Sequence, residues 1–187
     1  MDKIALRSEM RALRRELAAG APGAAERAAG LIPLDALPPL QWFSGYVAQG
    51  SEIDPAPLMR RLADAGAQAC LPAATSRDAP LDFRAWDPRD EMELDAFGIP
   101  APPPWADVVR PDLVIAPLLA FDRAGGRLGQ GAGHYDRTLL ALRAEKPVFV
   151  LGLAFSGQEL PAVPTEAHDQ QLDAILTETA FIPVVRT

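Results

Sequence analysis

Leu6, Met10, Leu13 and Leu17 recur at helical spacing near the start of the chain and predict an amphipathic helix over residues 2–19. Lys3, Arg7, Arg11 and Arg14 form a basic stripe beside that apolar one, which reads first as a solvated face. Ala21-Pro22-Gly23 breaks the helix, and a short Ala-rich helix is predicted to run to about Leu31. The aromatic and apolar run Leu40 to Val47 predicts a buried strand. Asp54-Pro55 has the form of a helix start, and Gly66 of its stop. Further strands are expected at Ala67 to Leu71, at the alternating Leu81, Phe83 and Ala85, at Leu113 to Leu119, at Val148 to Phe155 and at Ala174 to Leu176. A helix from His134 to Ala144 lies among them, and residues 98–104 read as a stiff extended connector. Strands alternating with helices predict an α/β fold, a single three-layer domain with a largely parallel central sheet flanked by helices.

Composition narrows the function. The chain has 187 residues, enough for one domain with its own core, and a net charge of −7, which argues against a general nucleic-acid binder. No apolar run is long enough for a membrane span, and the charged N-terminus lacks a signal-peptide core, so a cytoplasmic protein is expected. Cys70, the one cysteine, allows no internal disulfide and sits in an apolar context that predicts a buried small hydrophobe.

The segment Phe121 to Asp136 carries the most chemistry. It holds Gly125, Gly126, Gly129, Gly131 and Gly133 around Arg127 and Leu128, and it ends in His134-Tyr135-Asp136 at a helix start. Glycines let amides approach a ligand closely, a helix N-terminus favours an anion, and an arginine fork suits phosphate oxygens. A polyphosphate is the expected ligand, although the segment matches neither GxxxxGK[ST] nor GxGxxG. Read by itself, Asp136 serves equally as a helix-start carboxylate or a metal ligand.

Four pieces then align: Lys3-Ile-Ala-Leu-Arg7, Gly50-Ser51-Glu52-Ile53-Asp54, Arg127 to Asp136, and Pro164 to Asp169 followed by Leu172-Asp173. Together, over nearly the whole chain, they resemble the 5-formyltetrahydrofolate cyclo-ligase (5,10-methenyltetrahydrofolate synthetase) family. The resemblance implies an ATP- and Mg²⁺-dependent ligase of one-carbon metabolism that turns 5-formyltetrahydrofolate into 5,10-methenyltetrahydrofolate, releasing ADP and phosphate. It implies that Lys3, Arg7 and the loop Arg127, Leu128, Gly129, Gln130, Gly131, Ala132, Gly133, His134 and Tyr135 bind ATP. Val47, Glu52, Phe97 and residues Gln130 to His134 would meet the folate, and Asp136 and Asp173 would hold Mg²⁺. Arg127, His134 and Tyr135 would be catalytic. Partners would be the small molecules alone, with no nucleic acid or membrane, and the protein would be a monomer.

The chain departs from the family pattern in three places. His134 stands where an aromatic residue is usual, Gln130 where Lys or Arg is frequent, and Ala132 where glycine is common. His134 could donate to a phosphate or to the formyl oxygen, or could cap the helix. His168-Asp169 reads as a loop-fixing pair rather than a metal site with His134. Trp42, Trp86 and Trp105 carry no motif and are read as packing residues. Two rival functions remain: a non-catalytic folate or nucleotide binder on the same scaffold, and a sugar-phosphate isomerase or acyl-transfer enzyme that needs no ATP.

Overall fold

The computed structural model describes residues 2–185. Helix α1 (Lys3–Gly20) starts where the Asp2 carboxylate accepts from the Ile4 amide, and it buries Leu6 and Met10 as the periodicity predicts. Helix α2 (Ala24–Leu31) and strand β1 (Trp42–Ser44) follow, then α3 (Ala56–Asp64), whose first amide is held by Asp54 at 2.9 Å. Next come β2 (Gln68–Ala73), β3 (Asp82–Ala85), β4 (Glu93–Leu94), β5 (Pro100–Ala101) and β6 (Leu113–Pro117). Strands β7 (Ala120–Phe121) and β8 (Arg127–Leu128) precede α4 (His134–Glu145). The chain continues through β9 (Phe149–Leu153), β10 (Ala174–Leu176) and β11 (Phe181–Pro183).

Seven strands form the central sheet in the order β11-β10-β9-β6-β1-β2-β3. The inner five are parallel, and the edge strands β3 and β11 are antiparallel to their neighbours. Alternation within β6 sends Leu113 and Ile115 to one face, with α2 and α3, and Val114 and Ala116 to the other, with Leu139 and Leu142 of α4. The result is the three-layer arrangement that the alternating pattern predicts. A third cluster docks α1, through Leu6 and Met10, against Leu119, Ala120 and Leu128.

Three expectations need correction. The apolar run Leu113 to Leu119 is not one strand, because the ladder ends at Pro117; Leu118 then packs over the sheet face beside Gly152, and Leu119 joins the cluster under α1. Residues 98–104 are not wholly a connector, because Pro100 and Ala101 pair with Leu94 and Glu93 in a small hairpin. The segment from Phe121 is not one glycine loop either. Ala120 and Phe121 pair with Leu128 and Arg127, so Gly125 and Gly126 make the turn of a hairpin. The Asp122 carboxylate closes that turn by accepting from the Ala124 and Gly126 amides. The phosphate-type loop is therefore the shorter stretch from Gly129 to Gly133.

The parallel core sets where a ligand can sit. From β1 the chain crosses by α3 to β2 on one side, and from β6 it crosses by α4 to β9 on the other. The crevice between the carboxyl ends of β1 and β6 is thus the topological switch point, the usual ligand site of an open α/β sheet.

Candidate active site

A cavity of about 510 Å³ opens at that switch point. Its walls come from the ends of β1, β2 and β6, from the loop 129–133 with the start of α4, from the first turns of α1, and from the segment around residues 166–169. Every residue expected at the site lines it except Asp173: Lys3, Arg7, Val47, Glu52, Phe97, Arg127 through Tyr135, and Asp136.

The phosphate-type end is built from local backbone chemistry. Gly131 (φ 107°) and Gly133 (φ 68°) hold left-handed conformations, and among the described residues no non-glycine residue has positive φ, so Ala132 fits without strain. Among the described residues, the amides from Gln130 to Asp136 have no hydrogen-bond partner, which leaves them to a ligand at the N-terminus of α4. Arg7 donates from Nε to the Gly129 carbonyl at 3.1 Å. Arg11 reaches Gln130 at both its side-chain oxygen (3.1 Å) and its carbonyl (3.2 Å), so α1 brings a cation to the position where the loop lacks one. Arg127, its side chain 4% exposed, pairs with Asp136 at 2.7 Å, and its Nε has no partner. Its guanidinium lies 5.7 Å from the centre of the Tyr135 ring.

Lys3 sits between Glu166 (2.9 Å) and Asp169 (3.1 Å). Burial works against its ammonium, but the two carboxylates outweigh burial and raise its pKa. Asp169 behaves in the converse way: burial opposes its charge, and the Glu166 amide and Lys3 together hold its pKa below the ordinary carboxylate value. The exposed His168 ring approaches both carboxylates, at 3.4 and 3.6 Å. Among the described residues no group of three or more His, Cys, Asp or Glu side chains forms a metal cage.

The other end is more apolar. Glu52 is nearly buried, with Oε2 accepting from the Gln49 amide at 2.9 Å and Oε1 3.5 Å from Arg14. Tyr46 donates to the Ile53 carbonyl, and burial, followed by the charge of Glu52, pushes its pKa well up. Burial and then Glu52 also raise the pKa of Tyr135, so its hydroxyl stays protonated and can donate but not act as a base. Phe97 meets His134 edge to face, with ring centres 4.8 Å apart. Burial, followed by the charge of Arg137, lowers the pKa of His134, so the imidazole is mostly neutral near pH 7.

Asp173 does not join this site. It precedes β10, at the edge of the sheet where the parallel strands begin, and the cavity lies where they end. Its Oδ2 is held by Arg143 at 3.0 Å and by the Val150 amide at 2.8 Å. Asp169, four residues earlier in the same segment, faces the cavity instead. Sequence reasoning also missed Tyr46 and Asp95. Asp95 accepts from the Phe97 and Ile99 amides (2.8 and 3.0 Å) and from Ala74 (3.0 Å), pinning the Phe97 loop to the end of β2. Its signal is visible afterwards in Asp95-Ala-Phe-Gly98, a side-chain-closed turn.

Residues 1–178 match the family model described as the 5-formyltetrahydrofolate cyclo-ligase family. A 5-formyltetrahydrofolate cyclo-ligase of Mycolicibacterium smegmatis is 35% identical over 163 residues, covering 78% of this chain and 82% of the relative. One of Escherichia coli K12 is 34% identical over 137 residues, covering 71% and 75%. Among solved structures, the Aquifex aeolicus 5,10-methenyltetrahydrofolate synthetase superposes with a TM-score of 0.74 at 24% identity, over 97% of this chain and 94% of that one. The Mycoplasma pneumoniae synthetase does so with a TM-score of 0.69 at 21% identity, over 95% and 99%.

Proposed function

The chain belongs to the 5-formyltetrahydrofolate cyclo-ligase family, and from that premise we propose how its own residues perform the family's reaction. The enzyme converts 5-formyltetrahydrofolate to 5,10-methenyltetrahydrofolate with ATP as co-substrate. Residues 1–187 act as one catalytic domain, a cytoplasmic monomer. The observation that carries this reading is the convergence of Lys3, Arg127, Asp136 and Glu52, from distant parts of the chain, on one cavity.

A formamide oxygen is a poor leaving group. The formyl oxygen attacks the γ-phosphorus of ATP, the bond from that phosphorus to the β,γ-bridging oxygen breaks, and ADP departs. Nitrogen 10 of the folate then attacks the activated formyl carbon, gives up its proton, and the carbon–oxygen bond breaks to release phosphate. The protein's share is alignment and charge stabilisation. Lys3, Arg7, Arg127 and the free amides from Gln130 to Asp136 receive the triphosphate. Arg127, nearly buried in the cavity wall and with its Nε unpartnered, meets the charge that builds on the transferring group. The protonated Tyr135 hydroxyl offers a donor between the two halves. His134, neutral and packed on Phe97, shapes the wall over the pterin rather than adding fixed charge. Glu52 accepts the paired N–H donors of the pterin edge.

Mg²⁺ fits the donor set: it favours one or two carboxylates with phosphate oxygens and water, and Asp136 and Asp169 both line the phosphate end. When bound, it neutralises charge across the phosphate oxygens. Asp169, not Asp173, is the second carboxylate of this proposal.

The test is turnover. Purified protein with ATP, Mg²⁺ and 5-formyltetrahydrofolate is expected to generate the absorbance of the methenyl product, and Arg127→Ala to lower kcat by about a hundredfold or more. A folded protein that binds both ligands without forming product would sink the catalytic reading and leave the binding one.

A further inference from the structure

Arg14 is the buried member of the basic stripe, and the reaction above does not use it. It is 6% exposed and does not line the cavity, yet it sits directly behind a residue that does. Its Nε donates to the Ser51 hydroxyl at 3.2 Å, and NH1 lies 3.2 Å from the Leu118 carbonyl and 3.5 Å from Oε1 of Glu52. Both side chains of the Arg14–Glu52 pair are 7% exposed.

We propose that Arg14 is a positioning residue for the folate, acting through Glu52: it holds that carboxylate in place, aimed at the cavity. This rests on the pterin role assigned to Glu52 above. A nearly buried carboxylate that loses its neighbouring cation swings out to water. Turned out of place, it could no longer accept two parallel N–H bonds at the cavity wall. The contact at 3.5 Å is an ion pair more than a tight hydrogen bond, so Oε1 retains acceptor capacity for a ligand.

A purely structural role explains the arrangement less well. The Leu118 carbonyl already accepts from Gln158 Nε2 at 3.0 Å, and the turn carrying Glu52 is closed by its own amide on the Gln49 carbonyl at 3.2 Å. Neither needs the guanidinium. Helix α1 adds a geometric reason. Arg7, which holds the Gly129 carbonyl, and Arg14 are seven residues apart, two turns of one helix face or about 10 Å. One rigid element thus sets the distance between the phosphate loop and the carboxylate that grips the other substrate.

The experiment is a double-mutant cycle on binding, with 5-formyltetrahydrofolate and ATP titrated separately by calorimetry against the wild type, Arg14→Met, Glu52→Gln and the double variant. Arg14→Met is expected to weaken folate binding about tenfold and ATP binding less than twofold, and to cost less than twofold more in the Glu52→Gln background, because the two residues act as a unit. Arg14→Lys, which keeps the charge, should recover part of the loss. Should Arg14→Met fail to fold, Arg14→Gln replaces it in the same cycle. Equal weakening of both ligands, or losses that multiply in the double variant, would overturn the proposal. Wild-type turnover is the control. If the wild type neither binds the folate nor turns over, the functional reading falls and takes this inference with it; if it does both and the cycle is additive, only the role of Arg14 falls.

Discussion

Lys3 and Arg127 each face the cavity already paired, Lys3 with Glu166 and Asp169, and Arg127 with Asp136. In the proposed reaction a polyanion and a divalent cation arriving together would exchange these partners, the cations turning to phosphate and the carboxylates to metal. Such an exchange would trade one charge partner for another at Lys3 and Arg127. It also separates two aspartates that look equivalent on paper. Asp169→Asn is expected to weaken Mg²⁺-dependent ATP binding about tenfold, read by nucleotide titration at varied Mg²⁺ without any turnover. Asp173→Asn should leave that titration unchanged and instead lower stability by about 1–2 kcal/mol in urea unfolding, because Arg143 and the Val150 amide weaken or lose an acceptor. A changed metal titration in the Asp173 variant would return it to the site.

The loop 129–133 shows what an element adds to its residues. Gly131 has φ of 107°, and a Cβ there would come within 3.3 Å of the Arg7 Cζ. Gly131→Ala must therefore strain the backbone or displace a cation, and ATP affinity should fall about tenfold while folate affinity moves little. Gly20→Ala is the matched control. Gly20 is helical with nothing within 4 Å, so the substitution should be neutral or slightly stabilising in a thermal melt and silent in nucleotide titration. Elements were legible where periodicity is long, as in α1 and α4, and illegible at strand ends. The run Leu113 to Leu119 reads as one strand because apolar residues continue past the sheet, and nothing local distinguishes a Leu paired in a ladder from a Leu docked on another helix. Likewise Gly125 and Gly126 look like part of a phosphate loop until the pairing of β7 with β8 makes them a hairpin turn.

At the scale of the whole molecule, long-range carboxylate contacts tie acid stability to the fold. Asp112 accepts from the Gln41 and Trp42 amides (2.8 and 2.9 Å) and pairs with Lys146, joining the starts of β1 and β6 to the end of α4. Burial opposes its charge, and Lys146 with the two amides outweighs that and lowers its pKa. A depressed folded pKa means the contribution is complete above the unfolded value, near 3.9, and is lost as pH falls through the folded one. Urea midpoints should therefore drop below about pH 4, and Asp112→Asn should flatten that drop while lowering stability at pH 7. An unchanged acid profile would remove Asp112 from this role.

The sequence by itself determined the class of fold, its main helices and parallel strands, and the glycine-rich character of the segment from Arg127 to Asp136, because each depends on neighbours within a few positions: periodicity, glycine placement and a helix start. Only the tertiary structure decided which charges meet. Arg14 reads as a solvated residue on a helical stripe until α1 docks across the switch point and buries it against Glu52. Asp169 and Asp173 are four residues apart, yet one meets Lys3 and the other meets Arg143, because the chain passes between the two edges of the sheet in that interval. Which side chain faces a cavity is set by contacts between segments distant in the chain, and no local pattern encodes them.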